Sequence, residues 1–266
     1  MMRRVLWACL ACACSSGVEE AELGSWQLVW SDEFDGAAGS PPNPEFWVHD
    51  VGGDGWGNNQ LEFNTDRTDN VFLDGEGRLV IRAQREDYQG NTWTSGRIKT
   101  QDTVAFAEGR VEARIKLPYG PGLWPAFWML GEDIPEVGWP LCGEIDIMEV
   151  RGGNPNEMIG TVHGPGYSGG ESVGDTYRFP SANAEYWHVY RVEIDEGYIA
   201  WFVDDVLYHR VTAADLPDGA LWVFDHPFFL LLNQAVGGTF LQPPNEQTQD
   251  VNDMLVDWVR VSQRVR

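Results

Sequence analysis

The chain has 266 residues, of which 43% are hydrophobic and 22% charged, a balance that supports a sizeable core and excludes a disordered or collagen-like polymer. Its 30 glycines and 15 prolines favour one large all-β domain over a helical bundle. Forty-one acidic against 18 basic residues give a formal net charge of −23. Such a surface repels phosphate backbones and anionic headgroups, which excludes nucleic acid, disfavours sulfated polymers and leaves neutral ligands open.

Met1, Met2, Arg3 and Arg4 precede an apolar run over residues 5–13, followed by Ser15, Ser16 and an acidic stretch. That is the order of an export signal, and its apolar part is too short to span a bilayer. Ala11-Cys12-Ala13 matches the small-x-small pattern before a cleavage point. Residues 1–21 are therefore expected to act as an export segment, with Cys14 as a candidate site for a lipid anchor. The protein is expected outside the cell, free or as a surface lipoprotein. Cys9, Cys12 and Cys14 fall in this segment, so Cys142 is the lone thiol of the body. No internal disulfide or cysteine metal cluster is expected, and Cys142 reads as a small buried hydrophobe rather than a nucleophile.

No repeat or long linker divides residues 22–266, which are expected to form a single domain. Residues 110–117 alternate, with Val111, Ala113, Ile115 and Leu117 on one face and Glu112, Arg114 and Lys116 on the other, the pattern of a half-buried antiparallel strand. Strands are also expected over residues 78–82, 188–194, 198–203, 206–210, 228–235 and 254–261. Asp204-Asp205 reads as a hairpin turn. No stretch of ten residues keeps a helical period, so two packed antiparallel sheets are the expected architecture. The 13 tryptophans suit sugar faces as well as a core.

The most informative stretch is Gly143-Glu144-Ile145-Asp146-Ile147-Met148-Glu149-Val150. In a strand Glu144 and Asp146 share a face while Ile145 and Ile147 take the other. Strict alternation would turn Glu149 away, but a β-bulge at Ile147-Met148 resets the phase and returns it to the acidic face. Two glutamates leaning together from such positions approach the ~5–5.5 Å carboxyl separation of a retaining glycosidase, and crowding of like charges raises the pKa of at least one. On spacing alone, calcium ligation or a solvated acidic edge strand explains the run as well as a catalytic cleft does.

Glu144-Ile145-Asp146-Ile147-Met148-Glu149 resembles the active-site signature of glycoside hydrolase family 16 in its bulged form, which in that family marks endo-β-1,3-glucanases (laminarinases); lichenases use the shorter form. Residues 55–62 (GWGNNQLE), 95–98 (SGRI), 118–130 (PYGPGLWPAFWML), 161–163 (TVH) and 233–238 (NQAVGG) resemble further blocks of the family in the family's order. The resemblance implies a β-jelly-roll sandwich of two curved antiparallel sheets with an open concave cleft.

The resemblance also implies roles. Glu144 would be the nucleophile, Asp146 its assistant and Glu149 the general acid/base of a double displacement that retains configuration. Trp124, Trp128 and Trp139 would wall the sugar, Asn58 and Arg97 would bond its hydroxyls, and His163 would sit near Glu149 or the leaving sugar. No cofactor is implied for catalysis. A structural Ca²⁺ is implied on the convex face, with Glu33, the Gly75 backbone and Asp257 as ligands. The expected substrate is a neutral laminarin-like β-glucan, cut at internal β-1,3 bonds by a monomer. A mixed-linkage glucanase or another polysaccharide hydrolase of the family is the near alternative, and a non-catalytic β-glucan-binding module the distant one.

The chain departs from the family in having Gly164 where many relatives have Trp after the histidine, with Gly166, Gly169 and Gly170 close behind. A flexible loop at the cleft edge is implied. Thr239-Phe240 likewise follows Gly237-Gly238 where Trp is usual.

Overall fold

Burial alternates along the Gly109–Lys116 strand as its sequence requires. Val111, Ala113 and Ile115 are buried, while Arg110, Glu112 and Arg114 stay partly exposed. The same alternation organises the whole computed structural model, which describes residues 25–180 and 184–265. The expected export segment, with Cys9, Cys12 and Cys14, lies outside the described residues.

Two sheets pack face to face, one of ten strands and one of eight. The middle of the first runs His188–Asp195, Gly109–Lys116, Val251–Arg264 and Leu79–Tyr88. The second is ordered Val173–Arg178, Glu157–His163, Glu144–Glu149, Leu123–Gly131, Phe228–Val236, Arg97–Lys99 and Val48–His49, and its eighth strand, Ala105–Phe106, also pairs with Phe228–Val236. Neighbours pair antiparallel except Glu62–Asn64, which runs parallel to Asn91–Ser95. The Leu79–Tyr88 and Val251–Arg264 strands outrun their predicted bounds. Their extra residues still alternate, and outward charges such as Arg82 and Asp253 pair across the ladder at 2.7 Å.

Asp204 and Asp205 have φ of 48° and 68°, so both centres of this turn are left-handed. That twist suits a two-residue hairpin between Tyr198–Val203 and Val206–Thr212. The one α-helix among the described residues is the four-residue Ile134–Val137.

The core fills the space between the sheets. Phe127, Met129, Ile145, Leu230 and Leu232 enter it from the eight-stranded sheet and meet Val111, Ile115, Val192, Val256 and Trp201 from the other. Burying each such side chain is worth roughly 1.5–3 kcal/mol. Because strands alternate, the neighbours Ala126, Trp128, Asp146 and Asn233 are turned to the outer face of the eight-stranded sheet, where a cleft runs. Cys142 is fully buried just before the Glu144–Glu149 strand, and burial pushes its thiol up to about 11, in keeping with an inert hydrophobe.

Candidate active site

The Glu144–Glu149 strand is an interior strand, flanked by Glu157–His163 and Leu123–Gly131, which removes the solvated-edge reading. Along one flank Glu144 faces His163, Asp146 faces Thr161 and Glu149 faces Ile159. Three steps on the acidic strand therefore match two on its partner. Along the other flank Trp128 faces Asp146 and Phe127 faces Met148, leaving Ile147 as the extra residue. Ile147 and Met148 both enter the core, at 1% and 0% exposure, and Glu149 returns to the outer face. This is the expected bulge at the expected place.

Glu144, Asp146 and Glu149 open onto one cleft of about 860 Å³, within the range of small-ligand sites. Asn58, Arg97, Trp124, Trp128, Trp139 and His163 line it as well. Each glutamate is held by a tryptophan: Trp139 Nε1 donates to Glu144 Oε2 at 2.7 Å, and Trp124 Nε1 donates to Glu149 Oε1 at 2.8 Å. The Trp128 N–H is directed to Asn233 Oδ1 at 2.7 Å. Arg97 lies over the rings of Trp128 and Trp56, 4.8 and 4.9 Å from their centroids. Its Nε donates to Asp50, which also pairs with Lys99. A rigid guanidinium is thereby fixed in the cleft wall.

His163 sits beside the other end of the acidic strand from the one expected. Its register partner is Glu144, and its Nε2 lies 2.9 Å from Asp146 Oδ2 and 3.8 Å from Glu144 Oε1. Asp146 Oδ2 also accepts the Thr161 hydroxyl. The histidine thus bridges Asp146 towards Glu144 instead of standing at Glu149.

Burial and the Asp146 charge push the Glu144 carboxyl up to about 8. Burial, followed by the Asp146 and Glu144 charges, holds Glu149 well above the usual carboxylate range. Both glutamates are thus raised by burial and by like charge, the environment in which one carboxyl of a pair can hold a proton for a leaving oxygen. Burial alone would lower His163, but its bond to Asp146 and the surrounding carboxylate charges raise it to about 9. The Gly169 N–H donates to His163 Nδ1 at 3.0 Å and favours the neutral ring, so the two influences oppose each other. The raising influence dominates, because the contact with Asp146 at 2.9 Å favours the charged ring more than one neutral hydrogen bond opposes it. Nε2–H can donate to Asp146 in either state.

The glycine-rich loop after His163 is pinned, not free as its composition implies. Gly169 is bonded to His163, and the buried Tyr167 donates its hydroxyl to Leu221 O at 2.8 Å. A Cβ on Gly164 would meet the Tyr167 hydroxyl oxygen at 2.3 Å, so the tryptophan common at this position does not fit while Tyr167 occupies that place. Arg151 and Phe240, absent from the predicted site, also line the cleft. Phe240 packs 4.8 Å from Trp124, and Arg151 covers it at 4.1 Å. The departure at Thr239-Phe240 was the one signal for them.

Of the expected calcium ligands, the Glu33 and Asp257 carboxylates are each paired with an arginine. Both Glu33 oxygens accept from Arg260, at 2.8 and 2.9 Å, and Asp257 accepts from Arg114 at 2.7 Å. Within the cleft, ligand atoms of Glu144, Asp146 and His163 lie within 4.8 Å of one another, but the protons of Thr161 and His163 already converge on Asp146 Oδ2.

Residues 56–260 match the profile of "Glycosyl hydrolases family 16". A "Beta-glucanase" of Rhodothermus marinus is 40% identical over 98% of this chain and 94% of its own length. The catalytic domain of an endo-1,3-beta-glucanase (laminarinase) from Thermotoga petrophila RKU-1 superposes with a TM-score of 0.85 at 44% identity, covering 91% of this chain and 100% of that one. The endo-beta-1,3-glucanase of Pyrococcus furiosus gives 0.86 at 44% identity, with 91% and 96% covered.

Proposed function

The chain belongs to glycoside hydrolase family 16, and on that footing we propose that it is a retaining endo-glycosidase that hydrolyses internal β-1,3 bonds of laminarin-like β-glucans. The observation that carries the chemistry is the bulge at Ile147, which puts Glu144 and Glu149 in one cleft with Asp146 between them. The relatives that act on β-1,3-glucan, 44% identical over nine-tenths of the chain, support the substrate.

In the first step Glu149 gives its proton to the glycosidic oxygen as that oxygen leaves, while Glu144 attacks the anomeric carbon and forms a glycosyl ester. In the second, Glu149 takes a proton from water, the water oxygen attacks the same carbon, and the Glu144 carboxylate leaves. Two inversions retain configuration. Trp139 orients Glu144 and Trp124 orients Glu149, and Asp146 with His163 sets the charge beside the nucleophile. Trp124 and Trp128 supply flat faces for pyranose rings, and Asn58 and Arg97 supply donors for their hydroxyls. A polymeric substrate lies outside the cell, which agrees with the export order of residues 1–13.

The test is reducing-end release from laminarin, lichenan, agarose and carrageenan. Laminarin is the expected substrate, and Glu144→Gln should lower its turnover at least about a thousandfold. Turnover confined to agarose would displace the glucan, and turnover surviving in Glu144→Gln would remove the nucleophile.

A further inference from the structure

Among the described residues three aromatic side chains are exposed by more than a third: Tyr119 at 41%, Trp139 at 49% and Tyr186 at 62%. Trp139 belongs to the cleft, where it holds Glu144. The other two come from distant parts of the chain yet line one cavity, of about 580 Å³, that shares no residue with the cleft. The fold brings them together. Tyr119 follows the Gly109–Lys116 strand, Tyr186 precedes His188–Asp195, and His188 faces Ile115 in the ladder.

The floor of this groove is the start of the Val251–Arg264 strand, where Leu255 faces Lys116. Val251, Asp253 and Leu255 point outward while Asn252 and Met254 are buried. Asp253 gives both carboxylate oxygens to Arg82, at 2.7 and 2.8 Å, so its charge is matched from behind. The groove therefore offers two aromatic rings beside a floor in which Val251 and Leu255 flank the paired Asp253, with Gln249, Lys116 and Glu185 also lining it as hydrogen-bonding groups.

We propose that this groove is a second binding site for a neutral β-glucan chain, separate from the catalytic cleft. The inference rests on the substrate reading above. Aromatic rings with an apolar face suit the C–H faces of pyranoses, and amide and ammonium groups suit their hydroxyls. Lys116 is the one cation lining the groove, and a protein of charge −23 opposes an acidic polymer. Engagement of one polymer at two sites raises retention on it without altering the chemistry in the cleft.

The experiment measures retention on insoluble linear β-1,3-glucan with turnover blocked by Glu144→Gln. Adding Tyr119→Ala and Tyr186→Ala should weaken retention about tenfold, equivalent to about 1.4 kcal/mol, and the paired Tyr→Phe changes should keep it. With Glu144 intact, the alanine pair should hydrolyse short soluble laminari-oligosaccharides at an unchanged kcat/KM while slowing on the insoluble polymer. Retention unaffected by the alanine pair, or equal losses on oligosaccharide and polymer, overturns the groove. So does concentration-dependent self-association that the alanine pair abolishes, since the occupant is then a second copy. Absence of laminarin turnover by the unaltered protein overturns the substrate reading instead, so the two failures are separable.

Discussion

The Trp201 indole N–H donates to the backbone carbonyl of Asp146 at 2.8 Å, joining the two sheets at the residue where the bulge begins. Trp201 is fully buried in the Tyr198–Val203 strand of the opposite sheet. A bulge leaves backbone groups outside the regular ladder, and here the core supplies the donor.

Trp201→Phe should therefore act on both stability and catalysis. It leaves the Asp146 carbonyl without its donor, at a cost of about 1–3 kcal/mol, and opens a small cavity. The urea midpoint should fall, and kcat should fall more than KM changes, because displacing Asp146 and Glu149 affects the reacting geometry. Equilibrium unfolding and steady-state kinetics on laminarin check both. An unchanged kcat in a destabilised variant would confine the contact to folding.

His163 should shift the pH profile, not just the rate. Its charge lowers the pKa of both Glu144 and Glu149, so removing it raises them. The acid limb of kcat/KM reports ionisation of the nucleophile, and in His163→Gln it should move to higher pH. A packing role alone would lower activity at every pH and leave the limb in place.

Much of this site was legible in the sequence because its logic is periodic. Alternation fixes which residues of 144–149 share a face, and the one odd residue forces a bulge wherever all three acids are to meet. Contacts between sheets have no such period. Nothing in residues 198–203 marks Trp201 as the partner of Asp146, and nothing in residues 164–172 shows that Gly169 is tied to His163. Glycine content alone would leave that loop free, and Tyr167 overrides it by burying its ring. Glu33 and Asp257 likewise gave no sign in the sequence that arginines, distant along the chain, would claim them.

Glu62 should make the fold lose stability as pH rises. It is fully buried, and burial pushes its carboxyl up to about 8 despite the Val236 N–H at 2.8 Å. In the unfolded chain it titrates near ~4.3. The folded state thus holds a proton that the unfolded state has released. Stability is full below ~4.3, declines as pH rises from there to about 8, and then levels off. Glu62→Gln keeps the shape without that titration, so its stability relative to the unaltered protein should grow with pH across this window. Guanidinium unfolding at acid, neutral and alkaline pH checks the sign, and a constant difference would show that Glu62 is not held protonated.

Deleting Met148 separates the phase of the acidic strand from its packing. The shortened run Glu144-Ile145-Asp146-Ile147-Glu149 places the acids at every second residue, so plain alternation keeps all three on the cleft face without a bulge. Met148 is fully buried, and its loss should cost about 2–5 kcal/mol. The deletion should be less stable yet more active than Glu149→Gln. Laminarin turnover below the unfolding transition ranks the two variants. A deletion as inactive as Glu149→Gln would mean that the site needs the bulged spacing of Glu144 and Glu149 itself, beyond their sharing a face.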